Sequence, residues 1–125
     1  MLLLRDLWGL PARLWRGTRF SLQGLAAAWR YQQAVRLELL ACVLVIPAAC
    51  LLGRTGTQRA LLIGSWVLVL IVELLNSAIE TAVDRTGTET DVLAGRAKDL
   101  ASAAVFVAIL LALAVWGLVL GCRPG

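Results

Sequence analysis

The stretch at residues 60–84, ALLIGSWVLVLIVELLNSAIETAVD, decides the fold of this chain. Its first half is largely apolar. As a helix, the whole stretch is long enough to cross a hydrocarbon core of about 30 Å. Glu73 interrupts the apolar run well inside the segment. An ionisable side chain inside a membrane helix costs about 2.5 to 3.5 kcal/mol on insertion scales, so Glu73 indicates a functional site.

Polar residues recur after Glu73 at helical spacing. Asn76, Glu80 and Asp84 follow at steps of three, four and four residues, which places all four side chains on one helical face. The sequence therefore predicts a membrane helix with one acidic stripe. Since a helix rises about 1.5 Å per residue, Glu73 and Glu80 lie roughly 10 Å apart along its axis, too far to share one ion.

The composition predicts a single small, all-α integral membrane domain. The chain has 125 residues, of which 60% are hydrophobic, and a mean hydropathy of +0.82, which is too apolar for an ordinary soluble domain. The first span is the weakest of the three, because it is short and Pro47 interrupts it. The predicted elements are an amphipathic surface helix at 1–30, transmembrane helices at 35–53, 59–84 and 98–121, and a cytoplasmic loop at 85–97.

The basic residues predict the orientation of the chain. Nine of its twelve Lys and Arg residues precede the first span or lie between the second and third, and short loops rich in such residues stay cytoplasmic. The N-terminus and the 85–97 loop are therefore expected in the cytoplasm, and the C-terminus outside. The net charge of +4 is explained by this topology and by anionic lipid, so nucleic acid is not an expected partner.

The residue composition and the absence of certain motifs exclude some kinds of site. The chain has no His, which rules out an imidazole base and a His-ligated metal. Cys42, Cys50 and Cys122 lack the spacing of a metal site and are interpreted as packing residues. No glycine-rich loop of the known nucleotide-binding types is present, so a phosphate site has to be built from side chains.

Three thin helices can hardly enclose a site and also shield a polar stripe. We therefore expect a homo-oligomer whose stripes face helix interfaces. The small residues Ala101, Ser102, Ala103 and Ala104 at the start of the third span permit close approach of helices.

The cytoplasmic ends of the spans gather acidic and basic residues that suit a metal ion with a polyphosphate. Glu80 lies near the membrane boundary, where a carboxylate can meet hydrated Mg²⁺. Glu73 lies roughly 10 Å deeper, where it can meet only a molecule dissolved in lipid. The simplest reaction for this arrangement is attack of a lipid hydroxyl on a terminal phosphate, with Glu73 as general base.

Two other interpretations fit the bare pattern. Glu73 and Asn76 can simply hydrogen-bond a neighbouring helix and stabilise the assembly. The chain can also be a small proton-coupled transporter with Glu73 as its relay. Against the transporter, the acidic residues lie at one side of the membrane only, without a matching polar group at the outer end of the second span.

The motif Glu73-x-x-Asn76-Ser77-Ala78-Ile79-Glu80-x-x-Val83-Asp84, followed by Gly95-Arg96-Ala97-Lys98-Asp99, closely resembles the prokaryotic integral-membrane diacylglycerol kinases, from about residue 13 to 120. The resemblance implies a homotrimer in the bacterial inner membrane, with a periplasmic C-terminus and active sites shared between subunits. It also implies MgATP-dependent phosphorylation of diacylglycerol to phosphatidic acid.

The resemblance further implies roles for individual residues. Glu73 is the expected catalytic base, Glu80 and Gln32 the metal ligands, and Asn76 and Asp84 supporting residues. The expected nucleotide contacts are Arg13, Phe20, Gln32, Glu80, Glu89, Asp91, Lys98 and Asp99. The expected contacts to the lipid substrate are Arg13, Ser21, Glu38, Glu73 and Ser102.

Three positions depart from the family pattern. Gln32 stands where a second metal-binding glutamate is usual, Phe20 where Tyr is frequent and Asp91 where His is frequent. An amide offers a carbonyl oxygen but no charge to attract Mg²⁺, so weaker metal affinity is expected.

The identity of the lipid has one alternative within the family, because Gram-positive relatives phosphorylate undecaprenol. The spans rich in Ala and Leu, the many arginines and the N-terminal tryptophans look more like the diacylglycerol enzymes.

Overall fold

The computed structural model describes residues 8–85 and 91–122 of the chain. In these ranges the regular structure consists of four α-helices: α1 (Leu10–Tyr31), α2 (Gln33–Leu52), α3 (Gly56–Asp84) and α4 (Val92–Gly121). The last three are long and apolar enough to cross a membrane. The predicted all-helical class with three potential spans is therefore confirmed.

The connection between α1 and α2 is a single residue. Gln32 has an extended backbone, with φ −116° and ψ 103°, while its N–H still donates to the Ala28 carbonyl at 2.8 Å. Because only one residue leaves the helical conformation, the chain changes direction here without a loop. Gln32 is thereby held at the end of α1, beside the start of the first span.

Pro47 does not interrupt α2, contrary to its predicted effect on the first span. The helix continues through Pro47 to Leu52. A proline removes one backbone donor, and membrane helices tolerate this loss when neighbouring groups satisfy the freed carbonyl. The first span is thus one continuous helix of 20 residues.

The turn between α2 and α3 is compact. Arg59 Nε donates to the Gly53 carbonyl at 3.0 Å, and the Thr55 hydroxyl accepts the Gln58 N–H at 3.1 Å, which caps α3. A Cβ atom at Gly53 would lie 2.5 Å from Arg59 Cγ and 2.9 Å from the Ala49 carbonyl oxygen. Glycine is therefore required here by close packing.

The fourth helix starts earlier than the predicted third span. An Asp91 carboxylate oxygen accepts the Leu93 N–H at 2.9 Å and caps the helix, so α4 begins at Val92. Residues 92–97, predicted as part of a cytoplasmic loop, are helical. The prediction followed hydropathy, which reports where a helix becomes apolar and not where its hydrogen bonding begins.

The central helix of the bundle is α3, which packs against both α2 and α4, while α1 packs on α2. Val69 of α3 forms a core cluster with Ala108 and Ala112 of α4, where the small alanines allow close approach. Trp116 Nε1 donates to the Leu62 carbonyl at 3.1 Å and joins the same two helices.

Large apolar side chains on the outside of the bundle are freely exposed. Leu44 is 76% exposed and Leu51 is 86% exposed. An exposed apolar surface of this extent marks contact with lipid or with other protein chains. This is the surface that a membrane-spanning bundle needs.

Candidate functional site

The buried face of α3 carries the polar stripe of the sequence. Leu62, Ser65, Val69, Glu73 and Asn76 are all buried there. Glu73 is only 7% exposed and Asn76 only 8%. A carboxyl group held in an apolar bundle has lost most of its hydration, which costs free energy. Such a group is therefore expected to have a polar partner or a functional role.

Asn76 lies between the two glutamates of the stripe. Its amide Nδ2 donates to Glu80 Oε1 at 3.4 Å, and it also interacts with the Glu73 side chain. Its other atom, Oδ1, is buried and has no hydrogen-bond partner in the part of the chain that the structure describes. Asn76 therefore links the inner and outer carboxyl groups.

Glu38 brings a further carboxyl group to Glu73 from the neighbouring helix. It lies on α2, close enough for the two carboxyl groups to interact electrostatically across the interface with α3. Glu38 Oε2 is buried, and no described residue donates a hydrogen bond to it. Two acidic groups thus converge in the apolar part of the bundle, where one can accept a proton from a hydroxyl.

Lys98 and Asp84 form an ion pair at the other end of the stripe. Lys98 Nζ lies 2.8 Å from Asp84 Oδ1 and connects α4 to α3. The side chains are 40% and 61% exposed, so water screens the pair and its contribution to stability is small, about 0–1 kcal/mol. An exposed ammonium group held at a known position is suited to binding an anion.

A groove of about 890 Å³ separates α1 from the second half of α3. Ser21 and Gln32 line one wall, and Ser77, Thr81 and Arg85 line the other. The remaining lining is apolar. The groove brings Gln32 and Ser21 to the same space, whereas Glu80 is not among its lining residues.

The donor atoms fit one type of metal site. Among the described residues no three His, Cys, Asp or Glu side chains are grouped to hold an ion by themselves. Mg²⁺ in phosphate-transfer sites needs only one or two carboxylates, because nucleotide phosphates and water complete its shell. Glu80 is a half-buried carboxylate with an amide beside it, which fits an ion bound mainly through phosphates.

Several predicted contact residues remain apart from this cluster within the chain. Arg13 and Phe20 on α1 and Asp99 and Ser102 on α4 are exposed. Asp91, also exposed, caps α4. Glu89 lies outside the described residues. These positions can complete a site only around a ligand or another chain.

Trp66 was missed by sequence reasoning. Its indole Nε1 is buried and has no oxygen or nitrogen acceptor in residues 8–85 and 91–122, and only the Cys42 sulfur, a weak acceptor, interacts with it. A signal was available in the sequence, because tryptophan normally concentrates at the membrane interfaces and not in the middle of a span.

The fold and the buried carboxyl groups define a small integral membrane protein that holds acidic residues inside a bundle of helices. Residues 19–120 match the family described as prokaryotic diacylglycerol kinase, and the chain belongs to this family. It is 52% identical to the diacylglycerol kinase of Haemophilus influenzae, over 80% of this chain and 85% of that protein. Identity to the diacylglycerol kinase of Escherichia coli K12 is 47%, over 90% and 93% of the two chains.

A third relative extends this result. The Pseudomonas aeruginosa diacylglycerol kinase is 45% identical over 86% of this chain and 88% of its own length. The resemblance inferred from the motif is confirmed. The protein is therefore an enzyme, a membrane kinase, and the proton-coupled transporter is no longer a candidate.

Proposed function

We propose that this protein transfers the terminal phosphate of MgATP to the hydroxyl of diacylglycerol and forms phosphatidic acid at the cytoplasmic face of a bacterial inner membrane. One observation carries the proposal: Glu73 is buried in an apolar bundle beside Glu38 and Asn76, while Glu80 and Lys98 lie toward the polar end. A site with these two levels suits one substrate from the lipid and one from water.

The reaction follows from these positions. Glu73 accepts the proton of the lipid hydroxyl, whose oxygen attacks the terminal phosphorus as the bond to the bridging oxygen breaks and ADP leaves. Lys98 offsets phosphate charge, and Glu80 and Gln32 would hold the metal. Mg²⁺, when bound, neutralises charge on the phosphate oxygens. Asn76 positions Glu73 relative to Glu80.

The remaining predicted contacts belong to the same proposal. Exposed residues of α1 and α4 complete the site when nucleotide and lipid bind. The nucleotide contacts are Arg13, Phe20, Glu89, Asp91 and Asp99, and the lipid contacts are Arg13, Ser21, Glu38 and Ser102. We propose that α1 lies on the membrane surface and that a homotrimer shares these residues between subunits.

Diacylglycerol is favoured over undecaprenol because the three relatives described above bear the name diacylglycerol kinase. The test is a mixed-micelle assay in which radiolabelled ATP is offered with diacylglycerol and undecaprenol side by side. Labelled phosphatidic acid that requires Mg²⁺ is the expected product. Label in undecaprenyl phosphate alone would overturn the choice of substrate, and label in neither lipid would overturn the activity.

A further inference from the structure

A second cavity, of about 310 Å³, lies among α2, α3 and α4. Its walls are apolar except for one carboxyl group and two indole groups. They comprise Glu38, Val45, Trp66, Val69, Ile109, Ala112, Leu113 and Trp116. The carboxyl group of Glu38 interacts with that of Glu73, so the cavity adjoins the proposed catalytic base.

The indole N–H groups of the two tryptophans in this cavity differ in their hydrogen bonding. Trp116 Nε1 is satisfied by the Leu62 carbonyl at 3.1 Å. Trp66 Nε1 is buried and has no oxygen or nitrogen acceptor within the described chain. The Cys42 sulfur interacts with this N–H, but sulfur is a weak acceptor and leaves the N–H poorly satisfied. An unsatisfied N–H at membrane depth is expensive, because no water is present to bond it.

Glu38 Oε2 is the second unpartnered polar atom of the cavity, within the residues described. The cavity therefore offers a ligand one acceptor and one donor in apolar surroundings. A glycerol ester matches both, since its hydroxyl donates and its ester carbonyl accepts. A polyprenol has the hydroxyl but no carbonyl group.

The spacing along α3 fits the same ligand. Glu73 does not line the cavity, but it lies close to Glu38, and on α3 it is two turns from Trp66 on one face, roughly 10 Å along the axis. If a ligand fills this distance with a hydrogen bond of about 2.9 Å at each end, roughly 4 Å remains between its own donor and acceptor atoms. That is comparable to the few bonds that separate the hydroxyl of a diacylglycerol from its nearest ester carbonyl.

We propose that the Trp66 indole N–H binds an ester carbonyl of the lipid substrate and makes the enzyme selective for ester-linked glycerolipids. This inference rests on the proposed function and deepens it. Trp66 is a specificity-determining residue that contacts the substrate away from the reacting oxygen. We expect Trp66 to affect the KM for the lipid and not the turnover rate.

The test compares 1,2-diacylglycerol with the matching 1,2-dialkylglycerol, which has ether links and no carbonyl. For the unaltered enzyme we expect a KM about five-fold lower for the ester, the usual size for one neutral hydrogen bond. Trp66→Phe should raise the KM for the ester to that of the ether and leave the KM for the ether unchanged. The latter value also shows that the variant is folded.

Trp116→Phe is the matched control, because its N–H is already bonded to Leu62. It should keep the ratio of the two KM values. Equal KM values for ester and ether in the unaltered enzyme would overturn the proposal without any variant, and so would an unchanged ratio in Trp66→Phe.

Binding measured by native mass spectrometry separates this inference from the proposed function. If neither lipid is phosphorylated, the proposed function fails. Stronger retention of the ester than of the ether, lost in Trp66→Phe, would still support the contact with Trp66. Equal retention of both lipids by the unaltered protein would reject it.

Discussion

At the scale of single residues, the site depends on one carboxyl group in an apolar environment. Glu73 is buried on α3, and its polar neighbours are Asn76 on the same helix and Glu38 on the next. An acid so placed reaches a lipid hydroxyl more readily than it reaches water. Under the proposed function, burial thus selects the substrate that can approach Glu73.

Removal of this carboxylate should abolish most of the turnover. Glu73→Gln keeps the shape of the side chain but cannot accept a proton, so we expect kcat to fall by about 10²- to 10⁴-fold. The KM for ATP should change little, since the proposed nucleotide contacts lie nearer the polar end. Steady-state kinetics in mixed micelles provide the measurement.

Ser65→Ala is the control for Glu73→Gln. Ser65 is buried on the same face of α3, and its hydroxyl donates only locally, to the Leu62 carbonyl at 3.1 Å. Turnover of this variant should stay close to that of the unaltered enzyme. If Glu73→Gln also retained normal turnover, Glu73 would not be the base.

Gln32 allows the metal assignment to be tested by adding a charge. Gln32→Glu places a carboxylate where the amide now lines the groove beside α3, so half-maximal activity should need less Mg²⁺. Gln33→Glu is the control, because Gln33 is the exposed next residue. An identical Mg²⁺ titration for Gln32→Glu would mean that position 32 does not face the ion.

At the scale of elements, short connections determine how the helices meet. The turn at Gly53 holds α2 against α3 through the hydrogen bond from Arg59. The single extended residue Gln32 joins α1 to α2. Such tight connections limit how far the helices can shift, which keeps Glu38 opposite Glu73.

Gly53→Ala should destabilise the protein. The added Cβ atom would lie 2.5 Å from Arg59 Cγ and 2.9 Å from the Ala49 carbonyl oxygen, and overpacking of this kind costs about 1–3 kcal/mol. Unfolding monitored by circular dichroism in detergent provides the free energy. Gly56→Ala is the control, because no atom lies within 4 Å of its added Cβ, and an equal loss in both variants would contradict the packing argument.

At the scale of the whole molecule, one chain leaves the proposed site incomplete. Lys98 and Asp84 are partly exposed, and predicted contacts such as Arg13 and Asp99 are exposed and stand apart from the buried acids. Many large apolar side chains also face outward. Association of several chains would cover part of this surface and bring the scattered residues together.

Sharing of sites between subunits can be tested by mixing inactive chains. Glu73→Gln and Lys98→Met should each be inactive alone. If these two residues of one site come from different subunits, co-reconstituted chains should regain a measurable fraction of activity, since some sites receive both intact residues. Cross-linking in lipid should show trimers. An active monomer, or inactive mixed trimers, would contradict shared sites.

The helical class, the three potential spans and the acidic stripe were predictable from the sequence, because each depends on local order. Hydropathy along the chain predicts spans, and spacing by three and four places Glu73, Asn76 and Glu80 on one face. The start of α4 at Val92 was not predictable from hydropathy, since the Asp91 cap lies in a polar segment.

By itself the sequence determined the family, the membrane-embedded helices and the residues along one helix that face inward, because periodicity and motif are properties of neighbouring residues. Only the tertiary structure decided which groups meet across helices: Glu38 with Glu73, Lys98 with Asp84, and Trp66 with an apolar cavity. Which side chains become neighbours depends on how the helix faces pack against one another. Residues distant in the chain become neighbours only through that packing.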